Sequence, residues 1–435
     1  MYRCCLILCP VLLIGGFADL YTDTVFRLIN KLKCPKRAIL GPWGHEWPDI
    51  AYPGPQIGFL LEIVKWLDYY IKGIDNGYDK KEIISIYKLN PNIDELHSIV
   101  KQRKGKWIHL NDILFYPNEH LQRNDYFTNE NQQINQKQIK YYLSFGSLTT
   151  EPISNNLFPN KISFLSPQQT GISCGNLCGL GYVHHPSNAI DQREDDGRSL
   201  CFDSLPLTND YELFGFPTVK LNLSSSSQVG LICVHLCMID QNTSSSILIA
   251  RGVLNLTHHQ SHEHPKLLNI NQIYNIEVTL SGICVCLPAG CRLRLALSTS
   301  YWPIVWPSSQ LATLTQSSSD RFRIFNKVNQ TIILQINEDD GSIEYPDGLI
   351  WDERSESVYQ IKNNNPQLAR IEILRYLKYY FKNESSIKVD IQTESIMFTQ
   401  QSPSTYQIIH QLDITNNDQP FFNKTFNLSF PRIYN

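Results

Sequence analysis

Two stretches, PVLLIGGFAD at residues 10–19 and RAILGPWGH at residues 37–45, share a pattern that decides the first part of the fold. Each is a short apolar run with glycines at its end, followed by Asp19 in the first stretch and His45 in the second. Continuous apolar runs of this kind are typical of buried parallel strands. The pattern therefore predicts two parallel strands whose following loops present a carboxylate and an imidazole.

Two helices are predicted around the second strand. Apolar residues recur at i, i+3, i+4 and i+7 before the Cys34-Pro35 break, as in an amphipathic helix: Val25, Leu28, Ile29 and Leu32. Thr22 or Asp23 is expected to cap this helix. A second helix is predicted within residues 54–73, with an apolar face formed by Phe59, Ile63, Trp66, Leu67 and Tyr70.

This order of elements brings Asp19 and His45 to one place. A strand, a helix and a second strand within about 30 residues form a right-handed crossover between parallel strands. The loops that follow parallel strands emerge at the same sheet edge, where chemistry is found in open α/β sheets. A carboxylate there can orient an imidazole and stabilise its protonated form. The alternatives are that Asp19 only caps the next helix and that His45 is an ordinary surface residue.

Composition limits the classes of protein. A chain of 435 residues is long enough for two domains, and its net charge of -3 predicts no nucleic-acid partner. No apolar run reaches the roughly 18–20 residues of a membrane span, so we predict no membrane association. The scattered 12 cysteines favour reduced thiols and the cytoplasm over secretion. Residues 1–18 leave the alternative open, because they also have the pattern of a signal peptide.

The remainder of the chain has the pattern of an all-β domain. Short alternating runs separated by turn-forming clusters predict a jelly-roll β-sandwich. These runs occupy residues 82–89, 140–146, 218–224, 230–240, 247–256, 274–280, 291–300, 321–326, 331–337, 386–395 and 406–414. The polar, Asn/Gln-rich residues 111–138 are predicted to form a long loop. We therefore expect an α/β domain at 1–78 and a β-sandwich at 79–435.

Histidine and cysteine motifs in the second domain were weighed as metal sites. The tract THHQSHEH at residues 257–264 has four histidines, but their spacing matches no helical metal motif and favours a solvated loop. The cysteine pairs at 233/237 and 284/286 lie in strand-like runs, where core packing is the simpler interpretation. We predict no metal and no cofactor.

Aromatic and charged motifs also have two interpretations. Trp302, Trp306 and Trp351 could form a sugar-binding platform, but aromatics before proline more often seal a loop against a neighbouring domain. The block DQREDDGRSL at residues 191–200 is interpreted as a salt-bridged structural loop. Neither motif is assigned a catalytic role.

Several blocks together resemble the cocaine esterase and X-Pro dipeptidyl-peptidase family of serine hydrolases. The blocks are PVLLIGGFADLY (10–21), AILGPWGH (38–45), DQREDDGRSLCFDSLPL (191–207), GVLNLTHHQSHEHP (252–265), LPAGCRLRLALSTSYWPIVWPSS (287–309) and FNLSFPRIYN (426–435). The resemblance implies the C-terminal portion of an α/β-hydrolase domain, followed by a galactose-binding-like jelly roll. It also implies that Asp19 is the acid and His45 the base of a catalytic triad.

The nucleophile of that triad is missing from the pattern. In α/β-hydrolases the serine precedes the acid and the histidine, yet none of the 18 residues before Asp19 is serine. GISCG at residues 171–175 fits G-x-S-x-G formally, but it follows His45 and has no strand before it or helix after it. We therefore expect a fragment or an inactive relative of a hydrolase that acts on small esters, amides or peptides. The alternative is a non-catalytic β-sandwich binding protein, including one for carbohydrate.

Overall fold

The computed structural model describes residues 7–96, 100–111, 141–144, 146–150, 161–177, 189–316, 331–344, 349–362, 365–381, 384–399 and 405–431. The predicted loop at 111–138, apart from its first residue, and the predicted strand at 321–326 lie outside these ranges. None of the helices within them combines the length and the apolar character that a membrane span requires.

The described chain is mostly strand. The elements of the first part are β1 Val11–Gly16, α1 Thr22–Lys31, β2 Lys36–Gly41, α2 Phe59–Tyr70, β3 Ile84–Leu89 and β4 Gly105–Leu110. They are followed by β5 Tyr142–Ser144, β6 Ser147–Thr149, β7 Ile162–Phe164, α3 Arg193–Asp196, β8 Leu200–Ser204, β9 Tyr211–Gly215, β10 Thr218–Ser225, β11 Leu231–Ile239 and β12 Ser246–Asn255. The last are β13 Tyr274–Thr279, β14 Ile283–Leu287, β15 Arg292–Ser298, β16 Leu314–Gln316, β17 Thr331–Glu344, β18 Leu349–Lys362, β19 Asn365–Phe381, β20 Glu384–Thr399, β21 Thr405–Asn416 and β22 Gln419–Pro431.

The first sheet contains the predicted parallel unit. β1 pairs in parallel with β2, with Gly16 opposite Gly41, and β2 pairs in parallel with β3. The sheet then continues to β14 through a parallel pairing of Leu89 with Val285, and β9 lies antiparallel at its far side. β4 pairs antiparallel with β3. Strands from beyond residue 78 therefore complete the sheet that begins with β1, and the domain boundary at that residue stays a prediction.

The two predicted helices form, with differences in their ends and faces. α1 buries Val25, Phe26 and Ile29, close to the predicted stripe. Thr22 does not cap it, because the Thr22 hydroxyl instead donates to the carbonyls of Gly16 and Asp19. α2 buries only Phe59 and Trp66 of the predicted apolar face.

A β-sandwich follows, as the alternating runs predicted. One sheet has the order β13-β10-β16-β7 and the other β12-β11-β15-β8-β6-β5. Alternate residues of both sheets point inward and form the largest hydrophobic core, which includes Phe202, Leu223, Ile232, Val234 and Leu297. The sandwich is the part of the predicted fold that is confirmed.

The last six strands form a separate antiparallel meander, in the order β17 to β22. Its long strands place apolar side chains in rows across one face, as in the row Tyr359, Ile371, Met397, Ile408 and Leu428. The prediction treated this region as part of the jelly roll. Alternation alone cannot assign a strand to a sheet, because it has the same period in a sandwich and in a meander.

Candidate active site

The ends of β1 and β2 bring Asp19 and His45 together. Asp19 follows β1 by three residues and His45 follows β2 by four. The His45 Nδ1–H donates to Asp19 Oδ2 at 3.1 Å, because a carboxylate can only accept. His45 Nε2 has no hydrogen-bond partner among the described residues, so the imidazole is held on one side and open on the other.

Two glycines make this approach possible. A Cβ at Gly16 would lie 2.1 Å from the Trp43 carbonyl oxygen, and one at Gly41 would lie 2.5 Å from the Trp43 ring. Trp43 is buried, and its Nε1–H donates to the Pro55 carbonyl at 2.8 Å. The GPWGH sequence therefore folds back under the strand ends around one buried indole. This explains why glycine occupies the last position of both strands.

The Asp19 carboxylate is fixed by its own loop. The Tyr21 backbone N–H donates to Oδ1 at 3.0 Å, so both carboxylate oxygens are occupied. The Tyr21 ring lies 5.3 Å from the His45 ring, centroid to centroid. The Asp19 side chain is 12% exposed, whereas the His45 side chain is 48% exposed. The geometry is that of an anchored acid and an accessible base.

Asp23, which sequence reasoning considered only as a helix cap, fixes the helix that carries this loop. It accepts the Gly282 backbone N–H at 2.8 Å, which ties α1 to the turn between β13 and β14. Burial raises the pKa of the Asp23 carboxyl, and that hydrogen bond opposes the rise. Only the pairing of distant segments creates this contact, so no local sequence signal could have identified it.

A second group of carboxylates lies in the sandwich, within the DQREDDGRSL block. Asp195 is fully buried and accepts the backbone N–H groups of Gly171 at 2.8 Å and Ser173 at 2.9 Å. Arg198 contacts its Oδ1 at 3.3 Å. Burial raises the pKa of the Asp195 carboxyl despite these donors. The block thus clamps the 171–173 loop, as the structural interpretation predicted.

Comparison with known proteins identifies this block's family. The sequence profile of the X-Pro dipeptidyl-peptidase C-terminal non-catalytic domain matches residues 116–341, just over half of the chain. The chain belongs to this family. The match confirms the resemblance inferred from the sequence. Asp19 and His45 lie outside the matched residues. No curated protein sequence matches the chain significantly.

Solved structures show the same fold relationship. An aminopeptidase from a marine sediment archaeon, Thaumarchaeota archaeon, has a TM-score of 0.52 and 16% identity, over 72% of this chain and 53% of its own. An α-amino acid ester hydrolase has a TM-score of 0.49 and 15% identity, over 65% and 48%. A CocE/NonD family hydrolase from Staphylococcus aureus has a TM-score of 0.49 and 12% identity, over 73% and 53%. The chain spans about half the length of each of these proteins.

The serine of GISCG has no catalytic setting in this X-Pro dipeptidyl-peptidase family member. Ser173 is buried, its backbone N–H donates to Asp195, and its carbonyl accepts the Ile190 N–H at 3.0 Å. No serine, threonine or cysteine in the described ranges is hydrogen-bonded to His45. The described part of the chain therefore presents an acid and a base without an adjacent nucleophile.

The other motifs of this family member lie in structural positions. The His258 and His262 rings are 5.5 Å apart, and the His259 Nδ1–H donates to the Leu256 carbonyl at 2.8 Å. Over the residues that the structure describes, no group of three or more His, Cys, Asp or Glu side chains could hold a metal ion. Every cysteine in the same ranges is a free thiol, and burial raises the pKa of the Cys284 thiol to about 12.

The tryptophans before proline seal the sandwich against the meander. Trp302 is buried and packs on Trp306 and Tyr359, and Trp306 makes an edge contact with Tyr406 at 5.3 Å. Trp351 stacks on Tyr379 within the meander, at 6.5 Å between ring centroids. Trp302 therefore cannot serve as an exposed platform for a sugar.

Proposed function

We propose that this chain supplies the acid and the base of a serine hydrolase of the X-Pro dipeptidyl-peptidase and cocaine esterase type. The observation that carries the proposal is the 3.1 Å contact from His45 Nδ1 to Asp19 Oδ2, with His45 Nε2 left open. This is the supporting half of a Ser-His-Asp system. The substrate is a small ester or amide, or a peptide from which a dipeptide is released.

The finer architecture belongs to the same proposal. The parallel unit β1-α1-β2-α2-β3 is the last portion of an α/β-hydrolase domain, and the sandwich is a galactose-binding-like jelly roll. In support of the first, the dyad lies at the carboxyl edge of parallel strands, where open α/β sheets have their active sites. In support of the second, two antiparallel sheets enclose one common core.

The reaction requires a serine hydroxyl beside His45. The serine Oγ forms a bond to the substrate carbonyl carbon, and its proton passes to His45 Nε2. His45 then gives that proton to the leaving alcohol or amine as the carbonyl carbon–leaving group bond breaks. Water attacks the acyl-enzyme, again through Nε2, and the acid product and free serine result. Asp19 holds the ring and stabilises its positive charge throughout.

The same chemistry predicts that the isolated chain is inactive. Loss of the serine from such a triad costs on the order of 10⁶ in turnover. A fluorophosphonate probe that reacts with activated serines should therefore leave the purified 435-residue chain unlabelled. Labelling of that chain would contradict the absence of a nucleophile.

The hydrolase itself is tested on protein isolated from the cells that make it. Captured through the sandwich, it should hydrolyse p-nitrophenyl acetate or an X-Pro aminocoumarin amide, and His45→Ala should abolish that hydrolysis. Equal hydrolysis by wild type and His45→Ala would reject the proposed role of the dyad.

A non-catalytic binding role is the second candidate, because the matched family is described as a non-catalytic domain. It predicts that the chain retains a ligand or partner whether or not Asp19 and His45 are intact. Binding of mono- and oligosaccharides, measured by isothermal titration calorimetry on wild type and on Asp19→Asn, would separate the two candidates.

A further inference from the structure

The outer edge of β1 lacks a neighbour. Among the described strands β1 pairs only with β2, and the backbone N–H groups of Val11 and Phe17 donate to Pro35 and Gly41 on that side, both at 2.9 Å. Successive residues of a strand direct their backbone groups to opposite edges. The N–H and C=O groups of Leu12 and Ile14 therefore point to the free edge.

A free edge is unusual for a strand of this composition. Parallel strands occur almost only where both faces of the sheet are covered, and β1 has the sequence VLLIGG. Proteins protect the edges of their sheets with charges, prolines, bulges or covering elements. β1 has no charge and no proline, and its first five residues are half-buried rather than buried. This edge is built to pair with another strand.

The helix α2 exposes an apolar stripe in the same part of the protein. Leu60, Leu61, Val64, Leu67 and Ile71 are spaced at helical intervals, and each is at least 41% exposed. The opposite side of the helix is occupied, since Trp66 packs on Tyr78, and Glu62 pairs with Lys81. An apolar stripe of this length on a folded protein indicates a contact surface.

Apolar side chains also surround the dyad. Leu20, Tyr21, Trp47 and Ile50 are all exposed, and Trp47 stacks on Phe59 at the start of α2. The exposed aromatic Tyr21 lies against the open imidazole of His45. We call the β1 edge, these four residues and the α2 stripe the docking surface. It surrounds a base that has no nucleophile among the described residues.

We infer that the docking surface binds a polypeptide that adds a parallel strand to the free edge of β1, packs on the α2 stripe and brings a nucleophilic hydroxyl to His45 Nε2. The supply of the hydroxyl rests on the proposed function, whereas the strand addition does not. The fold supports this occupant, because the matched archaeal aminopeptidase contains nearly as much chain again beyond the part that this protein covers.

The matched variants separate edge pairing from side-chain packing. Leu12→Pro removes a backbone donor from the free edge and leaves the β1–β2 hydrogen bonds intact, since proline is tolerated in edge strands. Leu12→Ala removes the same side chain but keeps the N–H. Leu61→Asp with Val64→Asp places charges on the α2 stripe, and Leu205→Asp does so at a distant leucine that is 83% exposed.

The experiment captures the tagged full chain from the cells that produce it and treats the complex with the fluorophosphonate probe. We expect a co-purified polypeptide that carries the label. Its yield should fall about tenfold or more with Leu12→Pro and with the Asp pair, and should stay within about threefold with Leu12→Ala and Leu205→Asp. His45→Ala should retain the polypeptide and lose the label. Thermal melts check that each variant is folded.

Other outcomes distinguish the two proposals. A partner whose yield depends on the docking surface but which takes no label would uphold strand addition and reject the hydrolase. A labelled partner whose yield is the same for all variants would uphold the hydrolase and overturn this surface. Light scattering that shows wild type as a dimer, and both Leu12→Pro and the Asp pair as monomers, would overturn it in favour of a second copy.

Discussion

Two buried or partly buried carboxylates, Asp19 and Asp195, use the same hydrogen-bonding chemistry to opposite ends. Asp195, in the sandwich, is fully buried and its acceptors are taken by the backbone N–H groups of Gly171 and Ser173 and by Arg198. Asp19, at the α/β edge, accepts one backbone N–H and one imidazole, and that imidazole is 48% exposed.

The difference concerns what lies beyond the carboxylate. At Asp195 every donor is part of the fold, so the charge stabilises a loop and can do nothing else. At Asp19 one donor is a base whose second nitrogen has no described partner, so the charge can act on a third group. Substitutions should therefore change activity at the first site and stability at the second.

The largest expected effect is on catalysis in the protein that has a nucleophile. Asp19→Asn should reduce the rate of fluorophosphonate labelling by about 10⁴, because the imidazole loses its orienting acceptor, and His45→Ala by about 10⁶. The melting temperature should change little, since the dyad is partly exposed. Asp49→Asn, at a nearby exposed carboxylate, is the control. A comparable loss of rate with Asp49→Asn would remove the special role of Asp19.

A large effect on stability is expected at Asp195. Asp195→Ala leaves two backbone N–H groups unpaired and Arg198 short of a partner, at a cost of about 3–5 kcal/mol in the free energy of unfolding. Glu194→Gln, at the exposed acid that also pairs with Arg198, should cost less than about 1 kcal/mol. Urea unfolding monitored by fluorescence measures both. Equal costs would mean that burial does not distinguish the two acids.

A pH-dependent effect is expected at His235. The ring is fully buried against Tyr301, neither nitrogen has a partner among the described residues, and burial, with the nearby Arg251 charge, lowers the pKa to about 3. The unfolded chain therefore binds a proton below about pH 6.5 that the folded chain does not. Stability should fall as pH drops from about 6.5 towards 3, by up to about 1.4 kcal/mol per pH unit.

His235→Phe tests that slope. The variant keeps an aromatic ring beside Tyr301 but cannot bind a proton, so its stability relative to wild type should rise as the pH falls from 6.5 to 4. His264→Phe, at an exposed histidine, should leave the slope unchanged. Urea unfolding at several pH values gives the comparison. Parallel curves for wild type and His235→Phe would show that His235 is not held neutral.

The placement of Asp19 and His45 could be predicted because it follows from local order. A strand, a crossover helix and a second strand leave one geometric solution, and both following loops then lie at one edge. The distance of 3.1 Å between the two side chains agrees with that expectation. Their catalytic role is not decided by the distance and stays a proposal.

Long-range pairings could not be predicted in the same way. Leu89 pairs with Val285 across nearly the whole sandwich sequence, and no periodicity records such a partner. The face of α2 was also misjudged, because the pattern grouped Leu67 with the buried residues although it is exposed. An apolar stripe indicates a face that makes contact. It does not tell which polypeptide provides the contact.

The smallest effect is expected at an ion pair that lacks both burial and an open reactive atom. Lys220 and Glu277 face each other across β10 and β13 at 3.1 Å, and their side chains are 72% and 55% exposed. Water screens such a pair, so Lys220→Met should change the free energy of unfolding by less than about 1 kcal/mol, and high salt should reduce the difference further. Activity should not change. If urea unfolding gives a cost near that of Asp195→Ala, then solvent exposure is not what separates structural from dispensable charges in this sandwich.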